Sequence, residues 1–263
     1  LTPGRQKEPT VREKSNSDQG VLRTESLSKN FGALRAVDQV NLKVESGVHS
    51  IIGPNGAGKT TLFNLLTGFL KPDAGKIFYL EKDITNLQPY ETSQLGMARS
   101  FQITSIFPEL TVYENVRLAV QSRLKAAYNF LISFKSLNGV DEKTEKVLRD
   151  VGLDNEADVA AKNLSYGLQR CLDIGISLAT EPKIILLDEP TSGLSQEDAN
   201  RIIHLVSEIS KNIPVLVIEH NIDIVLSISD IITVMYQGGV LAEGSASEIT
   251  NNQKVQEAYL GGI

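Results

Sequence analysis

From residue 21 onward the chain alternates short apolar runs with polar turns. Segments 21–26, 38–44 and 48–52 are brief, rich in Val, Leu and Ile, and separated by Gly, Asn or Asp, which is the pattern of strands. Residues 59–69 set Leu62, Phe63, Leu65 and Leu66 on one stripe and predict a helix. Further on, the runs 184–187, 215–218 and 231–235 are apolar without interruption, as strands buried on both faces of a parallel sheet are. Helical stretches at 196–210 and 221–228 lie between them. This alternation predicts an α/β core, opened by N-terminal strands.

The middle of the chain differs. Between about 103 and 163 the pattern is helical, with no convincing buried strand. Thr111 and Glu114 have the spacing of a capping box, and Val112, Val116 and Val120 follow at helical intervals. Asp141 is expected to cap a second helix carrying Val147, Leu148 and Val151, with Gly152 as its stop. A helical lobe, about 103–175, is therefore predicted as an insertion in a domain covering 20–263. Residues 246–260 read as one short helix after a Gly-Ser turn. Residues 1–19 are too polar to offset their ordering entropy and read as a disordered tail. An accident of the start site is the other reading, since the chain begins with Leu1 and not Met.

Composition narrows the classes. With 263 residues, 41% hydrophobic and 22% charged, the chain suits a globular domain and excludes whole-chain disorder or a collagen-like repeat. No apolar run is long enough to cross a bilayer, so work at a membrane would need another chain to span it. The single cysteine, Cys171, can form no internal disulfide, and its apolar helical setting reads as inert packing in a reducing cytosol. His49 and His204 lack metal-ligand spacing and read as structural. A net charge of −6 disfavours tight binding to nucleic acid.

The chemistry is concentrated in a few places. Gly53, Pro54, Asn55, Gly56, Ala57, Gly58, Lys59 and Thr60, followed by Thr61, form a glycine loop between a strand at 49–52 and a helix. Glycines let the backbone wrap a triphosphate with its N–H groups pointing inward, while the helix N-terminus adds positive potential. Lys59 would neutralise β- and γ-phosphate charge, and the Thr60 hydroxyl would ligate Mg²⁺. The run 184–187 ends in Asp188 and Glu189, so Asp188 can hold the metal and Glu189 can orient or deprotonate the attacking water. A plain glycine turn and two strand-end carboxylates are the alternatives, and together they give way to a nucleoside triphosphate site.

Further elements carry a resemblance. Leu164-Ser165-Tyr166-Gly167-Leu168-Gln169-Arg170 follows the helical lobe, Ser192-Gly193-Leu194-Ser195 follows the acidic strand, His220 follows Ile218-Glu219, and Gln102 follows Arg99-Ser100-Phe101. With the phosphate loop, these make the chain, over about 21–260, similar to the ATP-binding subunits of ATP-binding-cassette (ABC) transporters. The resemblance implies the ABC ATPase fold, a phosphate-loop core with N-terminal antiparallel strands and an inserted helical lobe, and binding of ATP and Mg²⁺. It makes Ser165 and Gly167 a clamp on the γ-phosphate held by an opposite subunit, His220 a γ-phosphate contact, and Gln102 a metal and water contact. It places Phe31 against adenine, although an aromatic there can equally be core.

Two departures stand out: Tyr166 and Leu168 replace the usual glycine and glutamine of the signature, and Ser195 replaces the usual aspartate. Ser195 can still cap the helix at 196–210, but the contacts between subunits lose a charge, which puts affinity and turnover in question.

The form of the signature, Met97 to Gln102, the run Ile218-Glu219-His220-Asn221 and the ending Ala258-Tyr259-Leu260-Gly261-Gly262 resemble importers for branched-chain or other hydrophobic amino acids, or urea. A lipid- or lipopolysaccharide-export ATPase, a soluble ABC ATPase and an inert regulatory module are the alternatives. The implied partners are polytopic permease subunits, a second ATP-binding subunit and, indirectly, a solute-binding protein. The implied place is the cytoplasmic face of the inner membrane, with no nucleic acid involved. Ile106, Phe107, Leu110 and Tyr113 are candidate permease contacts, unless they are the lobe's own core.

Overall fold

The strands among the described residues form two sheets. The computed structural model describes residues 20–100, 106–123 and 139–260; the tail 1–19 and Gln102 lie outside the described residues. In the first sheet, β1 (Leu22–Phe31) pairs antiparallel with β2 (Leu34–Val40), β3 (Lys43–Val44) and β5 (Ala74–Tyr79), and β6 (Lys82–Asp83) extends it. The second sheet uses β4 (Val48–Ile52), β7 (Met97–Arg99), β8 (Ile184–Asp188), β9 (Val215–Ile218), β10 (Ile231–Tyr236) and β11 (Gly239–Gly244). Its order is β11-β10-β4-β9-β8-β7, parallel except for the β10–β11 hairpin.

Every residue of β4, β8 and β9 is buried, which explains their unbroken apolar runs. Ile184 and Leu186 face one side, with Leu62, Phe63, Leu65 and Leu66 of α1 (Lys59–Leu66) and the first sheet. Ile185 and Leu187 face the other, with the helices of the lobe and α6 (Gln196–Ser210). There, α3 (Val112–Ser122) packs on α4 (Val140–Asp150) and on α5 (Tyr166–Ala179). Ile106 and Tyr113 pack against this core, so those two candidate permease contacts are largely lobe packing, whereas Phe107 stays exposed.

Several boundaries differ from expectation for local reasons. The strand expected at 38–44 is two strands, broken where Asn41 Oδ1 accepts from Ser26 N and Leu42 N donates to Thr24 Oγ1. The helix expected to reach 69 ends at Leu66, with Gly68 at φ 79°. Asp141 does not cap α4; Gly139 does, and the Asp141 carboxylate instead accepts from Tyr113 Oη at 2.8 Å and Arg117 Nε at 3.0 Å. Residues 246–260 form two helices, α8 (Ala246–Thr250) and α9 (Gln253–Leu260), because Asn252 Oδ1 caps the start of the second helix, accepting from Lys254 N and Val255 N. The capping box at Thr111 and the Ser195 cap of α6 are present as expected.

His49 is structural and tightly enclosed. Its Nε2 lies 2.7 Å from Thr233 Oγ1, which donates to Glu243 Oε2 at 2.6 Å. Burial lowers its pKa to about 4. The unfolded chain binds a proton at this site below its ordinary value of 6.5, and the folded chain does so only near 4. The stability His49 contributes is therefore present above 6.5 and is lost as pH falls toward 4, at up to about 1.4 kcal/mol per pH unit. Urea unfolding at about pH 7.5 and about pH 5 should show a steeper acid loss in the native chain than in His49→Gln. Equal losses would refute this account.

Candidate nucleotide-binding site

The chemistry gathers where β4, β9 and β8 end side by side. Ile51 is level with Ile218, and Asp188 with Ile218, so the residues leaving these strands emerge at one edge of the sheet. This is the carboxyl edge, at which open α/β sheets bind ligands.

The loop leaving β4 admits glycine alone at two points. At Gly53, φ is 154° and an added Cβ would lie 2.2 Å from Met235 O; at Gly58, φ is 101° and it would lie 2.2 Å from Ala36 O. Gly56 has φ 79° but open space around it, and Asn55 and Gly56 are exposed. Pro54 is half-buried, and buried Ala57 braces the loop from beneath, its carbonyl accepting from Gly238 N while Gly238 O accepts from Asp38 N. Helix α1 opens on Gly58 without a side-chain cap, so no cap side chain occupies its first amides. Lys59 is only 8% exposed and folds back, Nζ donating to Gly53 O at 2.6 Å and Pro54 O at 3.1 Å. Burial lowers its pKa, with Glu189 and Asp188 opposing. Thr60 is exposed on the first turn and Thr61 is half-buried.

Asp188 closes β8 and is 7% exposed, with Arg99 Nη2 at 3.5 Å. Burial raises its pKa, and the Arg99 guanidinium works against that. Arg99 donates to Asn64 Oδ1 and Thr67 Oγ1, both at 2.8 Å, so it joins the acidic strand to α1. Glu189 has a left-handed backbone, φ 48°, uncommon for a residue with a side chain and a form of strain that concentrates at functional sites. Its Oε1 lies 3.7 Å from Nδ1 of exposed His220.

The structure thus brings Lys59, Asp188, Glu189 and His220 together and places Ser165 and Gly167 elsewhere. Ser165 caps α5, accepting from Leu168 N, and Gly167 fits against α6, where a Cβ would meet Asp198 Oδ1 at 2.3 Å. Tyr166 is exposed, its hydroxyl accepting from Arg170 Nη2 at 2.9 Å, and Leu168 packs on the lobe core. Phe31 ends β1 and is 48% exposed, so it is not a core aromatic. Sequence reasoning gave no role to Arg99 or Glu219. The only sign of either was a charge set against apolar strand residues.

Comparison with known proteins identifies the family. Residues 37–192 match the family model described as "ABC transporter", more than half of the chain. The chain belongs to the ABC transporter family. Residues 240–262 of this cassette match a second model, "Branched-chain amino acid ATP-binding cassette transporter". It is 38% identical over 245 residues to "Probable branched-chain amino acid transport ATP-binding protein LivG" of Archaeoglobus fulgidus, covering 92% of this chain and 95% of that protein. It is also 38% identical over 251 residues to "High-affinity branched-chain amino acid transport ATP-binding protein LivG" of Escherichia coli, covering 92% and 98%. Among solved structures, an ATP-binding cassette of an ABC transporter in its ADP conformation superposes with a TM-score of 0.79 at 36% identity, covering 92% of this chain and 98% of that one. The chain is an ABC-type ATPase, with the expected α/β core, antiparallel strands and helical lobe. No helix among the described residues is long and apolar enough to cross a membrane.

Proposed function

We propose that this cassette powers the import of branched-chain amino acids, hydrolysing ATP at the cytoplasmic face of the membrane against a permease that other chains supply. The observation that carries this reading is the match of the C-terminal segment, 240–262, to the branched-chain amino acid model, in addition to the general cassette match. That segment packs Ile249, Val255 and Tyr259 under Ile52, the residue before the phosphate loop. In this reading 20–263 is one ATPase domain with the lobe, about 103–175, inserted in it, and a second cassette, identical or homologous, completes the pair.

In the proposed mechanism Phe31 stacks on adenine, and the loop 53–58, with Thr60 and Thr61, cradles the phosphates through backbone N–H groups. Lys59 exchanges its two loop carbonyls for phosphate oxygens, a short movement for a side chain already inside the loop. Thr60, Asp188 and Gln102 would hold Mg²⁺; hydroxyl, carboxylate and amide are oxygen donors that suit a hard cation, which when bound neutralises charge on the β- and γ-phosphates. Glu189 takes the proton of the attacking water, and His220 contacts the γ-phosphate. Ser165 and Gly167, at a helix N-terminus away from their own phosphate loop, grip the γ-phosphate of the opposite subunit. On the permease side, a cleft of about 340 Å³ between α2 (Pro89–Gln94), β7 and α5 is lined by Phe69, Tyr90 and Ile176 and suits a cytoplasmic helix of the permease.

Affinity purification of the chain from mildly solubilised native membranes, with mass spectrometry of what accompanies it, tests the proposal. Polytopic permease subunits and a binding protein for branched-chain amino acids should be enriched. A partner set with no membrane protein above control would refute it.

A further inference from the structure

We infer that Glu219 is a positioning residue for hydrolysis: its buried carboxylate ties the turn that carries Glu189 to the loop that carries His220, so that the two act from one frame. The inference rests on the roles proposed above for Glu189 and His220. Glu219 leaves the end of β9 and is 0% exposed. Its Oε1 accepts from Thr191 N at 3.1 Å and from Thr191 Oγ1 at 2.5 Å; its Oε2 accepts from His220 N at 3.2 Å. Thr191 lies two residues beyond Glu189. The turn between them is closed by Ser192 N donating to Glu189 O at 3.1 Å, and Glu189 N donates to Ile218 O at 2.9 Å.

A carboxylate enclosed by protein is tolerable only while its donors stay in place. Among the described residues the donors come from two loops and no ion pair reaches Glu219, so separating the loops would strand its charge. The same three bonds therefore resist any change in the 3.7 Å separation of Glu189 Oε1 and His220 Nδ1. A glutamine has the same shape but one acceptor oxygen in place of two, so it must release either Thr191 or the His220 amide. Misplacing a reacting group by about 1 Å can cost about 10²-fold in rate, whereas nucleotide binding depends on the phosphate loop, which Glu219 does not touch.

The test compares the full native chain with Glu219→Gln, reading the imidazole ¹⁵N signals and the ATPase kinetics. Three histidines give three pairs of ring signals, two of them, from His49 and His204, serving as internal controls. In Glu219→Gln the His220 signals should shift while the other two pairs stay, and kcat should fall at least about 10-fold with the KM for ATP within about twofold. The ring signals decide the matter whether or not the isolated chain turns over ATP. Unmoved His220 signals overturn the proposal, as does a loss of kcat that merely follows the folded fraction. Should Glu219→Gln fail to fold, Thr191→Val removes one donor alone. It should shift His220 and lower kcat by about threefold, and no change in either overturns the proposal. Unimpaired turnover in Glu189→Gln would instead remove the role of Glu189, leaving the link between Glu219 and His220 to be judged by the ring signals.

Discussion

Glu189→Gln is expected to slow steady-state ATP hydrolysis by about 10²–10³-fold, the usual range for loss of a general base, with ATP affinity held within about twofold. The substitution keeps the volume and the backbone geometry, including the left-handed φ of 48° that aims this side chain away from the strand. What it removes is a carboxylate 3.7 Å from His220 and next in sequence to Asp188. The groups that would hold the phosphates, Lys59 and the loop amides, are untouched, so binding should survive. Phosphate release and titration with a fluorescent ATP analogue measure the two quantities separately. Retention of more than about a tenth of native turnover would take Glu189 out of the base role.

Gly58→Ala should cost the chain its nucleotide site altogether, weakening ATP binding by about 10²-fold or more, equivalent to about 2.7 kcal/mol or more. The added methyl would sit 2.2 Å from Ala36 O at a φ of 101°. The obstacle is backbone in a strand that cannot rotate aside, and strain of this kind costs about 1–3 kcal/mol before the overlap is counted. The alternative to bearing that cost is to move the start of α1, and with it Lys59. Gly56→Ala is the control: its φ of 79° is also unfavourable, but nothing lies within 4 Å of the added atom. ATP titration and urea unfolding should rank the chains native, Gly56→Ala, Gly58→Ala in both affinity and stability. Native-like binding by Gly58→Ala would refute the account.

Where a residue's environment follows from its neighbours in sequence, the fold could be read directly. The strands β4, β8 and β9 announced themselves because both faces are buried, and α6 because Ser195 caps an amphipathic period. Short edge elements gave no such signal: β7 has three residues, β6 has two, and β11 buries neither face fully. Asp141 was misread as a cap because its partners, Tyr113 and Arg117, lie on another helix. The phosphate loop and the acidic pair were legible as contiguous motifs. Arg99 and Glu219 were not, since their meaning lies in bonds to residues 35 and 28 positions away. Even at the phosphate loop, the sequence could show that glycines were required but not that Met235 and Ala36 are the atoms that require them.

The enclosed thiol of Cys171 has a practical side. It is fully buried in α5, and burial pushes its pKa up to about 11, so the reactive thiolate is scarce at neutral pH. Because no other cysteine occurs in the chain, the native protein is nearly silent to maleimide reagents. A cysteine introduced at an exposed position, in place of Tyr166 or Phe107 for instance, becomes the one addressable point on the molecule. Spin labels or fluorophores can then follow the approach of two cassettes, or of a cassette and its permease, in a chain that needs no prior removal of native thiols.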